Sequence, residues 1–168
     1  YIKKSLKALS YLNLKEVQMV AGGTFNDKEW KLDDRMPFQA LSGMSISSAV
    51  LPDALKMVPE RCFEGCDKLQ QVKIGSQTMG IQAGSFLDCT ALKEIVVPDS
   101  VKSIGMAAFS GCKALSRVSL GKSMNRIWNF AFWDCSSLAH ITVHKDNANF
   151  IAQDDILFSK DMQSLLLY

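Results

Sequence analysis

No long apolar run occurs in the sequence. Its apolar stretches are short pieces such as Ile95-Val96-Val97 and Leu165-Leu166-Leu167. A membrane-spanning helix needs roughly 18 consecutive apolar residues, so insertion into a membrane is not expected. Charge of one sign is also lacking: 19 Lys and Arg stand against 17 Asp and Glu, a formal net charge of +2. A nucleic-acid binder needs a basic stripe to displace counterions from phosphates, so no nucleic-acid partner is expected. Histidine is scarce, with only His140 and His144. No phosphate-binding glycine loop, G-x-S-x-G elbow, H-E-x-x-H pair or G-x-G-x-x-G turn is present. The five cysteines include no C-x2-C pair, the spacing that most often announces structural zinc. The chain starts at Tyr1 rather than Met, as expected of a processed protein or an excised fragment. What is present is 168 residues with 48% hydrophobic and 21% charged. That composition suits a folded domain with its own core and excludes disorder.

The dominant signal is an internal repeat. Phe63, Phe86, Phe109 and Phe132 are spaced by 23 residues, and so are Cys66, Cys89, Cys112 and Cys135. Leu69, Leu92, Leu115 and Leu138 keep the step. So do Val72, Ile95, Val118 and Ile141, then Ile74, Val97, Leu120 and Val143, and finally Val58, Ile81, Ile104 and Ile127. A weaker column holds Leu55, Thr78, Val101 and Met124.

Each unit opens with L-x-x-[VI]-x-[VIL], and its alternation is the mark of a strand. A turn residue follows at Pro52, Gly75, Pro98 or Gly121, then a short apolar pair such as Val101 with Ile104. Phe, Cys and Leu three apart fit one helical turn facing the core. A small residue precedes each Phe at Cys62, Ser85, Ala108 and Ala131. One such unit cannot bury its apolar face alone, whereas stacked units bury it jointly. The Phe column then becomes an aromatic spine, with neighbours at roughly the 4.8 Å of paired strands.

The unit resembles the BspA-type leucine-rich repeat of bacterial surface proteins, such as those of Bacteroides and Treponema. The match is closest over residues 92–112, LKEIVVPDSVKSIGMAAFSGC. The resemblance implies an α/β leucine-rich-repeat fold, a right-handed solenoid with one parallel sheet and short helical turns. It also implies export to the cell surface or medium and a role in adhesion or recognition, with an extracellular protein or glycan as partner.

The chain reads as one domain over residues 1–168. Residues 51–144 hold four regular repeats. Residues 1–50 are degenerate: Leu9, Leu12 and Leu14 repeat the strand spacing, as do Ile46, Ala49 and Leu51. The two sets lie further apart than one unit, which places an insertion near 22–36, rich in glycine and Asp. Residues 145–168 leave the Phe and Cys columns. Ile156-Leu157-Phe158 and Leu165-Leu166-Leu167 flank a polar turn and read as a capping β-hairpin. This segment resembles the family's DGVLFSKDGKTLLLY module, except that Asp155 and Met162 stand where glycine would supply positive φ cheaply.

Few residues point to chemistry. The column Cys66, Cys89, Cys112 and Cys135 reads as reduced thiols packed like small hydrophobes. Disulfides within the column are disfavoured because no paired framework is visible and the cysteine count is odd, and zinc because parallel side chains do not converge on one ion. Cys135 with His140 makes a poor nucleophile pair, since the two belong to opposite strand faces. His140 and His144 read as solvated strand residues. No enzyme, metal or cofactor is expected. Trp128 and Trp133 flank Phe132, either as a contact surface or as packing beneath the hairpin. Alternation leaves one outward row on the strands: Gln71, Lys73, Glu94, Val96, Arg117, Ser119, His140 and Thr142, with His144 just beyond. That row is the first candidate binding face and the 22–36 insertion the second. The rival from another class is a spacer or stalk segment with no ligand of its own.

Overall fold

The computed structural model describes residues 11–13, 24–25, 28–29, 38–162 and 165–167. From residue 38 the chain winds as a β-solenoid whose coils repeat every 23 residues, as the register of Ile95 on Val118 on Ile141 shows. One wall carries the expected parallel strands in two ladders. The first is β1 (Tyr11–Asn13), β4 (Ser48–Val50) and β6 (Gln71–Lys73); the second is β8 (Glu94–Val96), β10 (Arg117–Leu120) and β12 (His140–Val143). The Lys93 N–H donates to the Gln70 carbonyl at 3.2 Å where the ladders meet. Leu12 lies opposite Ala49, the register that the leucine spacing predicts; Leu9 and Leu14 lie outside the described residues.

Two expectations need correction. The first is the single parallel sheet. The apolar pair after each turn is itself a strand. β5 (Met57–Val58), β7 (Gly80–Ile81), β9 (Ser103–Ile104) and β11 (Arg126–Ile127) form a second parallel sheet. Two residues suffice because coils stacked at strand spacing bring each N–H beside a carbonyl. The Lys102 N–H reaches Met79 at 2.8 Å and the Gly105 N–H reaches Ile81 at 2.7 Å.

The second correction concerns the helical turns and, with them, the α/β class. Among the described residues there is no helix. Each Phe segment is a run of turns whose N–H groups alternate between two destinations. Cys62, Glu64 and Cys66 donate to the carbonyls three residues back, at 3.0–3.2 Å. Arg61, Phe63 and Gly65 donate across to Ala83, Ser85 and Leu87 of the next coil, at 2.7–3.0 Å. An α-helix would claim every N–H for itself; here half are committed to the neighbouring coil. The backbone shows the same alternation, with φ positive at Arg61, Gly84, Ala107 and Phe130, and again at Gly65, Asp88, Gly111 and Asp134. Two left-handed residues per coil exclude a right-handed helix.

The core is continuous from Ala40 to Leu157. Phe63, Phe86 and Phe109 are fully buried, with ring centroids 5.1, 5.1 and 5.3 Å apart along the spine to Phe132 and planes within 5°. Burial of each such ring stabilises by about 1.5–3 kcal/mol. Polar side chains enter this core only with partners: Thr78 Oγ1 donates to the Leu55 carbonyl at 2.8 Å, and Ser85 Oγ to Pro59 at 2.8 Å. The turn column alternates proline and glycine because a Cβ on Gly75 or Gly121 would overlap the carbonyl of Pro52 or Pro98 in the coil before.

A fifth coil begins and is abandoned. Asn147 takes the column of Met124, and Phe150 that of Ile127, one 23-residue step on. Buried Asn147 ties the departing chain down. Its Nδ2 donates to the Gly121 and Met124 carbonyls at 3.0 Å, and its Oδ1 accepts from the N–H groups of Asn149 and Phe150 at 2.8 Å. The chain then forms an antiparallel sheet of β13 (Phe150–Gln153), β14 (Ile156–Ser159) and β15 (Leu165–Leu167). The expected hairpin is β14 with β15; β13 is an addition to it. Asp154 and Asp155, with φ of 52° and 61°, make the two-residue turn between β13 and β14, as a primed hairpin turn requires. Met162 also has positive φ, 58°, so both glycine-preferring positions keep the glycine conformation. Within the 22–36 insertion, β2 (Thr24–Phe25) pairs antiparallel with β3 (Lys28–Glu29); the rest of that segment lies outside the described residues.

Candidate binding surfaces

The outward row of the first wall is held in rungs by strand register. Ser48 lies beside Gln71 and Val50 beside Lys73; Glu94, Arg117 and His140 share a rung, as do Val96, Ser119 and Thr142. Gln71, Lys73, Glu94, Val96, Arg117, His140 and Thr142 are exposed, while Ser119 and His144 are half-buried. The row divides into two parts. Gln71, Lys73, Glu94 and Val96 border a depression of about 810 Å³ together with Tyr11, Ser48 and Val50. The other part is tied into the protein. Thr142 Oγ1 donates to Ser119 Oγ at 3.0 Å, and Asp155 reaches across from the cap. Asp155 Oδ1 accepts the Ile141 N–H at 3.2 Å and lies 3.4 Å from His140 Nδ1. His144 Nδ1 accepts the Asp146 N–H at 3.2 Å.

Tyr11, Ser48 and Val50 are absent from the row read off the sequence. Their signal was available, since they alternate with the degenerate leucine columns at Leu12, Ala49 and Leu51. Asp155 could not have been found that way, because only the folded cap brings it to β12.

The cysteine column is a ladder of thiol donors. The Sγ atoms of Cys66, Cys89, Cys112 and Cys135 donate to the carbonyls of Leu41, Phe63, Phe86 and Phe109 at 3.1–3.2 Å. All five cysteines are reduced thiols. Burial pushes the Cys62, Cys89 and Cys112 thiols far above their ordinary range, with neighbouring thiols adding to the shift. Burial lifts the less enclosed Cys135 to about 12. Cys135 and His140 are thus each engaged elsewhere. Among the described residues no three His, Cys, Asp or Glu side chains converge on a metal-sized site, and no helix is long and apolar enough to cross a membrane.

A second surface lies at the C-terminal end of the spiral. Trp128, Phe130 and Trp133 are 49%, 62% and 65% exposed. Phe130 and Trp133 meet edge to face at 5.8 Å, and the Arg126 guanidinium lies 5.3 Å from the Trp128 ring centre. The two tryptophans are therefore not enclosed beneath the cap. They border a cleft of about 690 Å³, with Phe132 in it and Phe150 and Leu157 of the cap at its edge. The sequence reading did not single out Phe130; its signal is that its column otherwise holds Arg61, Gly84 and Ala107.

The family described as BspA type Leucine rich repeat region matches residues 35–161 in 6 copies. The chain belongs to that family, and its solenoid is a leucine-rich-repeat scaffold. Among solved structures, the leucine-rich repeat protein TpLRR of T. pallidum is 31% identical, with a TM-score of 0.62 over 64% of this chain and 50% of that one. The pneumococcal vaccine antigen PcpA is 23% identical, with a TM-score of 0.59 over 95% of this chain and 46% of that one. A leucine-rich repeat protein of Eubacterium ventriosum is 19% identical, with a TM-score of 0.55 over 75% and 41%. The chain thus spans half or less of each of these proteins. No curated protein matches it.

Proposed function

We propose that this chain is a non-enzymatic recognition module of a bacterial surface or secreted protein, binding an extracellular protein or glycan through its strand face. The observation that carries this is the outward row itself. A buried aromatic spine and two parallel sheets fix the spacing of Gln71, Lys73, Glu94, Val96 and Arg117, so binding them would require little ordering of the module. The depression bordered by Tyr11, Lys73, Glu94 and Val96 falls within the size range of ligand sites. Membership of the BspA-type family supports an exposed location, and PcpA, of similar fold, is a vaccine antigen. We place the module as a single domain over residues 1–168, with 51–144 as its regular repeats and 145–168 as its cap. The 22–36 insertion is the second candidate contact.

The test is a pull-down of host extracellular proteins and glycans with the folded chain, followed by titration of the captured ligand against the triple variant Lys73→Glu, Arg117→Glu, His140→Glu. Affinity should fall at least tenfold with circular dichroism unchanged. Unchanged affinity would remove the strand face and move the site to the insertion or the spiral's end. Capture of nothing would favour the spacer reading.

A further inference from the structure

The C-terminal end of the spiral is an unfinished edge. In every interior coil three N–H groups around the Phe donate to the coil above. Phe86 and Asp88 donate to Ala108 and Ser110; Phe109 and Gly111 donate to Ala131 and Trp133; Gly84 and Ala107 complete the sets with Met106 and Asn129. In the last coil the corresponding groups belong to Phe130, Phe132 and Asp134. None of the three has an acceptor among the described residues. The ring of Phe132 ends the stack on the cleft side, where a further rung would lie. The described residues of the cap sheet replace the fifth coil on the side of Phe150 and complete neither the donor row nor the stack.

The side chains around this edge are unlike those of any earlier coil. Trp128 stands in the column of Pro59, Gln82 and Gly105, Phe130 in that of Arg61, Gly84 and Ala107, and Trp133 in that of Glu64, Leu87 and Ser110. Terminal repeats ordinarily turn a polar face to water. This one instead carries three exposed aromatic rings beside three backbone donors that have no acceptor among the described residues.

We propose that this edge binds a short peptide segment of a partner protein, which completes the spiral as one more turn. Hydrogen-bond complementarity sets the chemistry of that peptide. It must offer carbonyls at positions i, i+2 and i+4 to Phe130, Phe132 and Asp134, and an aromatic ring at i+3 to stack on Phe132. Residues 83–87 meet the same requirement inside the protein, where Ala83, Ser85 and Leu87 accept from the coil below and Phe86 stacks on Phe63. Main-chain donors supply affinity and the aromatic cleft supplies selectivity, the division of labour seen when peptides add to sheet edges. Trp128, Phe130 and Trp133 wall the cleft and exclude water from those hydrogen bonds. The site is separate from the strand face and stands whether or not that face binds anything.

The experiment uses the whole chain and a synthetic peptide with the sequence of residues 82–92, its cysteine replaced by serine. Tryptophan fluorescence should report saturable binding. Amide exchange at Phe130, Phe132 and Asp134 should slow at least tenfold in the complex. Replacing the peptide's phenylalanine by alanine should weaken binding at least tenfold, and so should Trp133→Ser or Phe130→Ala in the protein. Both protein positions are exposed, so these variants should melt as wild type does. The triple strand-face variant should bind the peptide unchanged. No saturable binding up to millimolar peptide would overturn the proposal, as would binding without protection of those three amides. Concentration-dependent self-association abolished by Trp133→Ser would also overturn it, by assigning the edge to a second copy.

Discussion

Phe109 and Phe132 occupy the same column of the same repeat, yet they sit in different physical settings. Phe109 is stacked on both faces, and the N–H groups of Ala107, Phe109 and Gly111 find carbonyls in the next coil. Among the described residues, Phe132 is stacked on one face only, beside donors that find no acceptor. The thiols repeat the contrast, since Cys112 is wholly buried and Cys135 is not. A repeat sequence therefore fixes what each residue can do, while position in the stack decides whether the neighbour it needs exists. Enclosed contacts belong to the interior of the array, and exposed side chains collect at its end and along its outer face.

The largest effect expected from this contrast is alkaline unfolding. The enclosed thiols of Cys62, Cys89 and Cys112 are raised far above the ordinary value of 9.0. The folded state therefore holds protons that the unfolded chain releases above pH 9. The stability this provides is complete below that pH and is lost as pH rises toward the folded values. Each enclosed thiol should lower the folding equilibrium constant by up to about tenfold per pH unit in this window. Urea midpoints at pH 8 and 10.5 should fall steeply for wild type and less for the triple variant Cys62→Ala, Cys89→Ala, Cys112→Ala. Cys135→Ala alone should reduce the slope by one thiol's share, since a thiol near pKa 12 also stays protonated to pH 10.5. Parallel pH dependence in wild type and triple variant would contradict the ladder's burial.

The spine gives the next effect. Phe109→Ala should destabilise by about 3–5 kcal/mol through lost burial and a residual cavity. Phe132→Ala should cost roughly half as much, because its outer side already opens on the cleft. Equal losses at the two positions would show that the end coil is covered as fully as the interior.

The thiols should also separate by reactivity in the native state. Thiolate is the reactive form, and Cys135 is both the more accessible and, near pKa 12, the less shifted. Alkylation followed by mass spectrometry should modify Cys135 at least tenfold faster than Cys89 or Cys112. Uniform labelling would mean that the coils open together before any thiol reacts.

The smallest effect belongs to the cap. Met162 holds a left-handed backbone, φ 58°, without the freedom of glycine. Met162→Gly should raise stability by about 0.5–1 kcal/mol, the strain relieved outweighing the added freedom of the unfolded chain. A melting temperature lowered by this change would place a packing role on the Met162 side chain.

Much of this molecule was legible in its columns. The spacing of Phe, Cys and Leu determined the coil length, the spine, the inward strand residues and the outward row from Gln71 to Thr142. Period-two alternation assigns faces, and a fixed step assigns neighbours, without reference to anything distant. The tertiary structure decided what depends on partners a whole coil away. It turned the Phe-x-x-Cys segment into alternating turns, because half of its N–H groups bond to the next coil rather than along the chain. It made strands of two residues at Ile81 and Ile104, which a sequence window cannot distinguish from a loop. It let Asn147 anchor the abandoned fifth coil and brought Asp155 onto His140. It left the N–H groups of Phe130, Phe132 and Asp134 without an acceptor among the described residues, because a hydrogen bond between coils exists only where the next coil does.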